Sequence, residues 1–212
     1  MTSHRTAPYR TPSSTAQGEL TEKGSRFLAF LEPCADRPTA EKKIAGYRQR
    51  YADATHVCWA WRLISEPEPG EAASDAGEPS GTAGVPMLGA LKSEELWNVL
   101  GVVVRWFGGT KLGRGGLARA YRGAMATAIE NAEVVESLYR ITAVVRAPMG
   151  RVGEVHRLLA SMDISYGEQT TDGRVIGIEI SLPARDSHLL EQKLMEATQG
   201  EGSLSFVEET AG

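Results

Sequence analysis

Residues 107–116 contain five glycines in ten positions, and this segment constrains the fold more than any other part of the chain. A run rich in Val and Leu precedes it and predicts a buried strand, and an Ala-rich stretch follows it and predicts a long helix. Glycines let a backbone approach a ligand closely, and the first N–H groups of a helix have no intrahelical partner. The order strand, glycine loop and helix therefore predicts an anion-binding site where the helix begins.

The charges around the glycine-rich loop agree with this prediction. No Asp or Glu lies between Trp97 and Ile129, although the chain has a net charge of −4. The alternative is a tight turn with solvated cations, because glycines after a strand often mark close packing. The loop is not a Walker A motif, since Leu112 rather than Ser or Thr follows Lys111. Nor is it a dinucleotide fingerprint, since no acidic residue ends a second strand at the expected distance. The residues predicted to bind an anion or RNA are Arg105, Gly108, Gly109, Lys111, Gly113, Arg114, Gly115, Gly116, Arg119 and Arg122.

A second loop is predicted at residues 66–84, where Pro, Gly, Ser and acidic residues predominate. Its first half is expected to be mobile, and its second half ends in residues that can cap a helix. The acidic residues of this loop are opposite in charge to the glycine-rich loop. The two segments therefore either pair or form two halves of one cleft. The candidate cleft partners are His56, Asp75, Glu78, Ser80 and Thr82, of which Ser80 and Thr82 are expected to cap the following helix.

Residues 55–64 predict a strand whose two faces differ. Trp59 and Trp61 lie on one face, and Cys58 and Ala60 lie on the other. If helices cover only the face with small residues, the tryptophans lie on an open sheet surface that can stack bases. If the tryptophans face the core, that function is excluded.

The composition is that of an ordinary soluble chain, with 42% hydrophobic residues and a pI of about 5.7. No apolar stretch of about 18 residues occurs, so no membrane span and no membrane partner are expected. Two cysteines do not make a disulfide framework, which indicates the reducing cytoplasm. The scattered histidines and cysteines lack metal-ligand spacing, so neither a metal nor a cofactor is expected.

The chain is predicted to be an α+β protein with a flexible tail at residues 1–17, one domain at 18–135 and a second at 136–209. The tail is rich in Ser, Thr and Pro and has no apolar core, so it is not a secretory signal. In the second domain the patterns predict the order βαββαβ, which is the ferredoxin-like plan. Asp172-Gly173 predicts its hairpin and Asp186 is expected to cap its last helix. This half has no glycine-rich loop, which indicates a packing or interaction module.

Three segments resemble the motifs of the YigZ/IMPACT family: residues 54–62, 75–84 and 105–121. The resemblance covers about residues 20–133, and the remainder is similar to the additional C-terminal domain of bacterial YigZ-type members. Ala76 stands where the family usually has Asp, and Trp106 stands where Tyr is common. The first departure weakens any role for paired carboxylates at that segment.

The resemblance implies a ribosomal-protein-like αβ fold for the N-terminal domain, similar to domain four of elongation factor G. It implies a C-terminal domain similar to domain five of that factor. Eukaryotic IMPACT relatives resemble this chain in the N-terminal domain only and block activation of a kinase that senses amino-acid starvation. Because that activity requires partners that bacteria lack, it does not transfer directly. The fold is also shared by small-molecule kinases that hold phosphate on a glycine loop, which is analogy at the level of fold.

Three functions follow as hypotheses. The first is a non-catalytic, translation-associated module that binds RNA, the ribosome or an anionic ligand through the basic loop. Because the chain is acidic overall, only a local patch can serve this purpose. The second is an enzyme acting on a phosphorylated small molecule, with Lys111, Arg114 and the amides of Gly115 and Gly116 holding the phosphate. Glu78 or Asp75 is then the acid or base, with His56 nearby. The third is a regulator that docks a protein partner through either sheet.

Overall fold

The computed structural model describes residues 7–64 and 70–207, and the chain forms two α+β units that meet in sequence between Ser137 and Leu138. The first unit comprises Pro8–Ser137. Its main sheet has five antiparallel strands in the order β2-β3-β6-β4-β5. A second sheet pairs β1 with β7. The elements of this unit are β1 (Tyr9–Pro12), β2 (Ala16–Glu22), β3 (Ser25–Pro33), α1 (Arg37–Arg50), β4 (His56–Leu63), β5 (Gly70–Ser74), α2 (Gly84–Ser93), β6 (Val99–Trp106), α3 (Gly113–Glu130) and β7 (Val134–Ser137).

Helices cover both faces of the five-stranded sheet. The helices α2 and α3 pack on the face that carries Phe27, Cys58 and Val103. The helix α1 packs on the opposite face, over Val102 and Val104. Because β6 lies at the centre and is buried on both sides, its sequence is a nearly continuous apolar run rather than an alternating one.

The two tryptophans of β4 lie on the face that α1 covers. Trp59 and Trp61 are half-buried and pack beside a core that includes Leu100 and Val102. The alternative of an open aromatic sheet surface is therefore wrong, because a helix occupies that face. Base stacking on these two residues has no support in this fold.

The small residues of α3 allow it to approach β2 very closely. A Cβ atom added at Gly18 of β2 would lie only 2.3 Å from the backbone nitrogen of Ala128. No real Cβ tolerates such a contact, so the glycine is required by packing and not by a turn. This close approach fixes the position of α3 along the sheet.

The predicted disordered tail is wrong from Ala7 onward. The strand β1 pairs with β7, and Thr11 is buried with its hydroxyl donating to the carbonyl oxygen of Asn98. Tyr9 also contacts Asn98, whose side-chain nitrogen donates to the phenol oxygen. The Ser, Thr and Pro content misled the prediction because the partner strand lies far away in the sequence.

The predicted loop at residues 66–84 also contains a strand. The segment β5 pairs with β4 and forms one edge of the sheet. Its Ala and Gly residues have low strand propensity, so only the pairing with β4 explains the conformation. The first half of this loop is predicted to be mobile, but its residues 66–69 lie outside the described residues and its residues 70–74 form β5.

The second unit comprises Leu138–Gly212, described as far as Val207, and contains one antiparallel sheet in the order β11-β8-β10-β9. Its helices contribute Val155, Leu159, Leu190 and Leu194 to one apolar core. Asp186 stands at the N-cap of the last helix but makes no side-chain capping bond, so that predicted role is wrong. The elements are β8 (Arg140–Pro148), α4 (Val152–Ser161), β9 (Tyr166–Thr171), β10 (Val175–Pro183), α5 (Ser187–Ala197) and β11 (Ser203–Phe206), with single 3₁₀ turns before each helix.

Candidate functional site

The start of α3 faces the segment before α2 across a cleft of about 450 Å³. The two loops that the sequence analysis placed opposite each other in charge therefore form two sides of one cleft. The polar residues that line it are Thr55, His56, Glu78, Arg105, Lys111 and Arg114. The apolar residues that line it are Pro79, Phe107, Leu112 and Leu117.

At the base of the cleft, Glu78 and Arg105 form a buried ion pair. Their side chains are 3% and 6% exposed, and Arg105 Nη1 donates to Glu78 Oε1 over 2.5 Å. The hydroxyl of Tyr121 donates to the same oxygen over 2.8 Å. Arg105 also reaches the hydroxyl of Ser25 through Nη2. Arg105 was predicted to attract an anion, but its charge is largely neutralised by Glu78, so its first role is to hold that carboxylate.

His56 lies at the beginning of β4 and lines the cleft beside Glu78. Its Nδ1 is 3.0 Å from the carbonyl oxygen of Ala76, and its Nε2 is 3.8 Å from Glu78 Oε1. Since a carbonyl oxygen can only accept, Nδ1 carries the proton in the first contact. In the neutral ring, Nε2 is then the unprotonated nitrogen, which is the form that can accept a proton or a hydrogen bond.

Asp75 has a structural role and does not line the cleft. Its carboxylate accepts hydrogen bonds from the backbone nitrogens of Gly81, Ala83 and Gly84, so it caps α2 from eight residues upstream. Burial opposes the charge, but these N–H donors hold the pKa of Asp75 below its usual value. An acid–base role for Asp75 would require breaking this cap, so Asp75 is a poor candidate for the acid or base.

Ser80 and Thr82 do not cap α2 as the sequence predicted. The buried hydroxyl of Thr82 donates to the carbonyl oxygen of Pro79 over 2.6 Å and tightens the turn before the helix. Ser80 is exposed and contributes its carbonyl oxygen, which accepts from Arg114 Nη2 over 2.7 Å. That contact joins the two sides of the cleft.

The first turn of α3 combines open amide groups with positive charge. The helix has no side-chain capping bond at Leu112 and no acidic residue in its first turn. Lys111 and Arg114 are exposed and line the cleft at this point. Unpaired N–H groups, the helix dipole and two cations together favour a bound anion.

Two physical reasons, close packing and positive φ, explain three of the loop glycines. A Cβ at Gly108 would lie 1.9 Å from the backbone carbon of Gly24, so packing requires this glycine. Gly109 and Gly113 have φ angles of +88° and +71°, which side chains rarely adopt. Gly115 and Gly116 have negative φ, and a Cβ at Gly115 would meet only the distal Nη1 of Arg119, at 3.6 Å. Gly115 is therefore not required by the packing of the described residues.

The remaining predicted cations lie outside the cleft lining. Arg119 and Arg122 are exposed on α3, one and two turns beyond its start. They extend the positive surface along the helix and do not contribute to the cleft itself.

The two cysteines are free, buried thiols. The thiol of Cys58 is 3.0 Å from the carbonyl oxygen of Asp75 and 3.4 Å from the hydroxyl of Tyr121. Burial raises the pKa of Cys58 to about 12, and burial likewise raises the pKa of Tyr121. A thiol that stays protonated is a poor nucleophile, so Cys58 fits a packing role better than that of a nucleophile.

The predicted site residues do not include Ser25, Tyr121 and Phe107. Ser25 supports both Arg105 and the backbone nitrogen of Gly108 through its hydroxyl. Tyr121 fits the apolar stripe of α3, which hides its contact with Glu78. Phe107 is 46% exposed beside the glycines, and an aromatic residue in an otherwise small and polar loop is the one signal that sequence reasoning could have used.

Within residues 7–64 and 70–207, no cluster of three or more His, Cys, Asp or Glu residues is arranged to hold a metal ion. None of the helices described is both long and apolar enough to cross a membrane.

Comparison with known proteins places the site inside a segment that matches a family model. Residues 23–129 match the family model described as the Impact N-terminal domain. The Bacillus subtilis protein named IMPACT family member YvyE is 31% identical over 210 residues, which cover 94% of each chain. The Escherichia coli protein named IMPACT family member YigZ is 30% identical over 200 residues, covering 88% of this chain and 92% of that one. A crystal structure described as that of a hypothetical protein is 27% identical with a TM-score of 0.73, and the match covers 95% of this chain and 98% of that one.

Proposed function

Because the chain belongs to the IMPACT family, we propose that it is a non-catalytic, translation-associated module that binds RNA or the ribosome through its basic glycine-rich loop. Membership of this family suggests a translation-related regulatory protein. The observation that carries the proposal is the composition of the start of α3. Its first turn has backbone N–H groups without a side-chain cap and no acidic residue, and Lys111 and Arg114 lie beside it. Phosphate groups are the anions that such a helix start binds best.

The topology of each unit supports a finer description of the fold. The second unit has the order βαββαβ with the sheet order β11-β8-β10-β9, which is the arrangement of a ferredoxin-like domain. We assign the first unit to the fold of domain four of elongation factor G, as the family resemblance implies. A likeness to two domains of a factor that acts on the ribosome is consistent with a role in translation, at the level of fold alone.

The second unit is a weaker candidate for RNA contact. The side chains of β8 and β10 that point away from its helices include Thr142, Val144, Arg146, Glu179 and Ser181. This face offers no aromatic side chain on its two central strands, whereas sheet surfaces that bind single strands stack bases on aromatic residues. The proposal therefore rests on the first unit. Two free, buried cysteines support a cytoplasmic location.

The experiment is binding of the full chain to ribosomes, ribosomal RNA fragments and unrelated RNA across a salt series. We expect affinity to fall as salt rises, because each phosphate contact on a single strand contributes about 0.7 to the slope of log K against log salt. The double variant Arg114→Ala/Arg119→Ala should weaken binding to every RNA and reduce that slope by about 1.4.

A matched control removes two exposed cations from the same unit. Arg37→Ala/Lys42→Ala changes the net charge equally but lies on α1, across the sheet from α3. We expect this variant to bind as the unmodified chain does. Equal losses in both double variants would indicate a general charge effect, and unchanged binding in Arg114→Ala/Arg119→Ala would overturn the proposal.

A second candidate function is an enzyme acting on a phosphorylated small molecule. The observation that favours it is His56, which lines the same cleft as Lys111 and Arg114. The capping bonds of Asp75 argue against it as the acid or base, and the carbonyl oxygen of Ala76 orients the His56 ring. Turnover of a phosphorylated metabolite that is lost in His56→Gln would support this candidate, with binding retained. No turnover across a set of nucleotides and sugar phosphates would count against it.

A further inference from the structure

The cleft at the start of α3 has both an anionic end and an apolar wall, and we propose that it binds one nucleoside monophosphate unit. In this arrangement the phosphate lies at the first turn of α3 and the base lies against Phe107. The inference rests on the proposed function, because it names the part of an RNA strand that the cleft would take. A free nucleotide carries the same chemistry, so the test includes both.

The first supporting observation is Phe107. Among the exposed large hydrophobic residues in the described part of the first unit, Phe107 is the only aromatic one. It lines the cleft and lies at the end of β6, directly before the glycines. A ring that is exposed on this loop and lines the cleft can stack on a base.

The second observation is the position of Arg105. Its guanidinium carbon is 5.6 Å from the centroid of the Phe107 ring, which holds the ring beside the cleft by a cation–π contact. Arg105 Nε is buried and has no hydrogen-bond partner in the described structure. Because Arg105 is 5% exposed and lines the cleft, an acceptor on a bound ligand would satisfy a donor that the protein leaves unpaired.

The third observation is that the cleft lining combines apolar side chains with cationic ones. Most of the cleft wall is apolar, with Leu112 and Leu117 on the α3 side and Pro79 opposite. Its volume of about 450 Å³ lies within the usual range for small-ligand sites. A bare phosphate would leave this apolar wall uncovered, and an apolar ligand would leave Lys111 and Arg114 without an anion. A nucleotide unit covers both.

The test is calorimetric titration of the full chain with AMP, UMP, inorganic phosphate and adenosine, followed by a single-stranded RNA decamer and the same decamer as a duplex. We expect either nucleotide to bind at least tenfold more tightly than phosphate or adenosine. We also expect the single strand to bind more tightly than the duplex, because its bases are free to stack. Equal binding of AMP and inorganic phosphate would overturn the inference.

Variants at Phe107 and Gly115 separate the two ends of the cleft, and a variant at Val85 is the control. Phe107→Ala should weaken nucleotide and single-strand binding about tenfold, since base–aromatic stacking has this magnitude, and Phe107→Tyr should restore it. Gly115→Ala adds a methyl group that projects toward the start of the helix in space that the protein leaves open. It should weaken binding without lowering the melting temperature. Val85→Ala removes the other strongly exposed side chain at the start of α2 and should leave binding unchanged.

The outcomes distinguish this inference from the proposed function. If RNA binding depends on Arg114 and Arg119 but not on Phe107, the nucleotide cleft is overturned and the RNA module stands. If AMP binds and loses affinity in Phe107→Ala while no RNA binds, the cleft is supported and the RNA module is overturned. If neither AMP nor RNA binds, both proposals fail.

Discussion

At the scale of single residues, the site is organised around one buried carboxylate. Glu78 receives Arg105 and Tyr121 on the same oxygen and has His56 close by. These partners hold a charge that is almost fully out of water, and they come from two strands and a helix. The site is therefore assembled only when the sheet and α3 have both formed.

Glu78→Ala is expected to lower the free energy of unfolding by about 3–5 kcal/mol. Removing one member of a buried ion pair leaves the other uncompensated, which is costly. Glu78→Gln should cost less, because its amide oxygen can still accept from Tyr121. Urea unfolding measures both, with the exposed Glu41→Ala as the control. A loss below about 1 kcal/mol in Glu78→Ala would contradict the view of a buried pair.

A second prediction at this scale concerns Asp75 and the pH dependence of stability. Its pKa is lowered in the folded state, so the stability that its charge contributes is present above the unfolded value of about 4 and is lost as the pH falls through the folded value. Asp75→Ala should cost about 2 kcal/mol at pH 7 as a lost helix cap. Asp75→Asn keeps an acceptor and should cost less. The difference between Asp75→Asn and the unmodified chain should be constant from pH 7 to pH 5 and shrink below about pH 4; a difference that does not shrink as the pH falls further would show that the charge is not its source.

At the scale of elements, the sequence predicted most helices and central strands because their signals are local. The stripe of α3 and the apolar run of β6 each identify their element without knowledge of the rest of the chain. The missed strands are β1, β2, β5 and β7, which are short or lie at sheet edges. β1 and β7 pair with each other from opposite ends of the unit, as in Tyr9 opposite Ser137, and no local pattern encodes such a pairing. β2 and β5 pair with their sequence neighbours β3 and β4, but their Gly, Ala and acidic residues have low strand propensity.

The glycines show the same division between local and distant causes. Gly46 lies in the middle of α1 with nothing within 4 Å of an added Cβ, so neither packing nor backbone strain requires it. Gly46→Ala should raise the free energy of unfolding by about 0.5–1 kcal/mol, because alanine favours the helix and restricts the unfolded chain. Gly18→Ala is the matched contrast in β2 and should be strongly destabilising, since its Cβ would collide with the α3 backbone. Thermal melting should show a raised melting temperature for Gly46→Ala and a lowered one for Gly18→Ala. A lowered melting temperature in Gly46→Ala would contradict the prediction.

At the scale of the whole molecule, the sequence correctly indicated an α+β chain, and it left open whether the two oppositely charged loops pair or form one cleft. It did not indicate how the carboxylates divide their roles. Asp75 and Glu78 are three residues apart and look equivalent in sequence. The turn between them directs Asp75 to the amides of α2 and Glu78 to Arg105. Such a division depends on the direction of each side chain in a folded turn, which spacing alone does not specify.

The ends of the first unit provide the last prediction. The strand β1 closes this unit by pairing with β7, and its residues make buried contacts with Asn98. A chain that begins at Ala16 should therefore be less stable than one that begins at Ala7, by roughly 2–3 kcal/mol, because each lost hydrogen bond contributes about 1 kcal/mol. The chain that begins at Ala7 is the matched control, since both truncations lack the same first six residues. Urea unfolding, followed by the fluorescence of the tryptophans near the sheet, should show a lower midpoint for the shorter chain. Equal midpoints would mean that the segment is the dispensable tail that its composition suggests, and a lower midpoint would mean that the fold of this unit begins at β1.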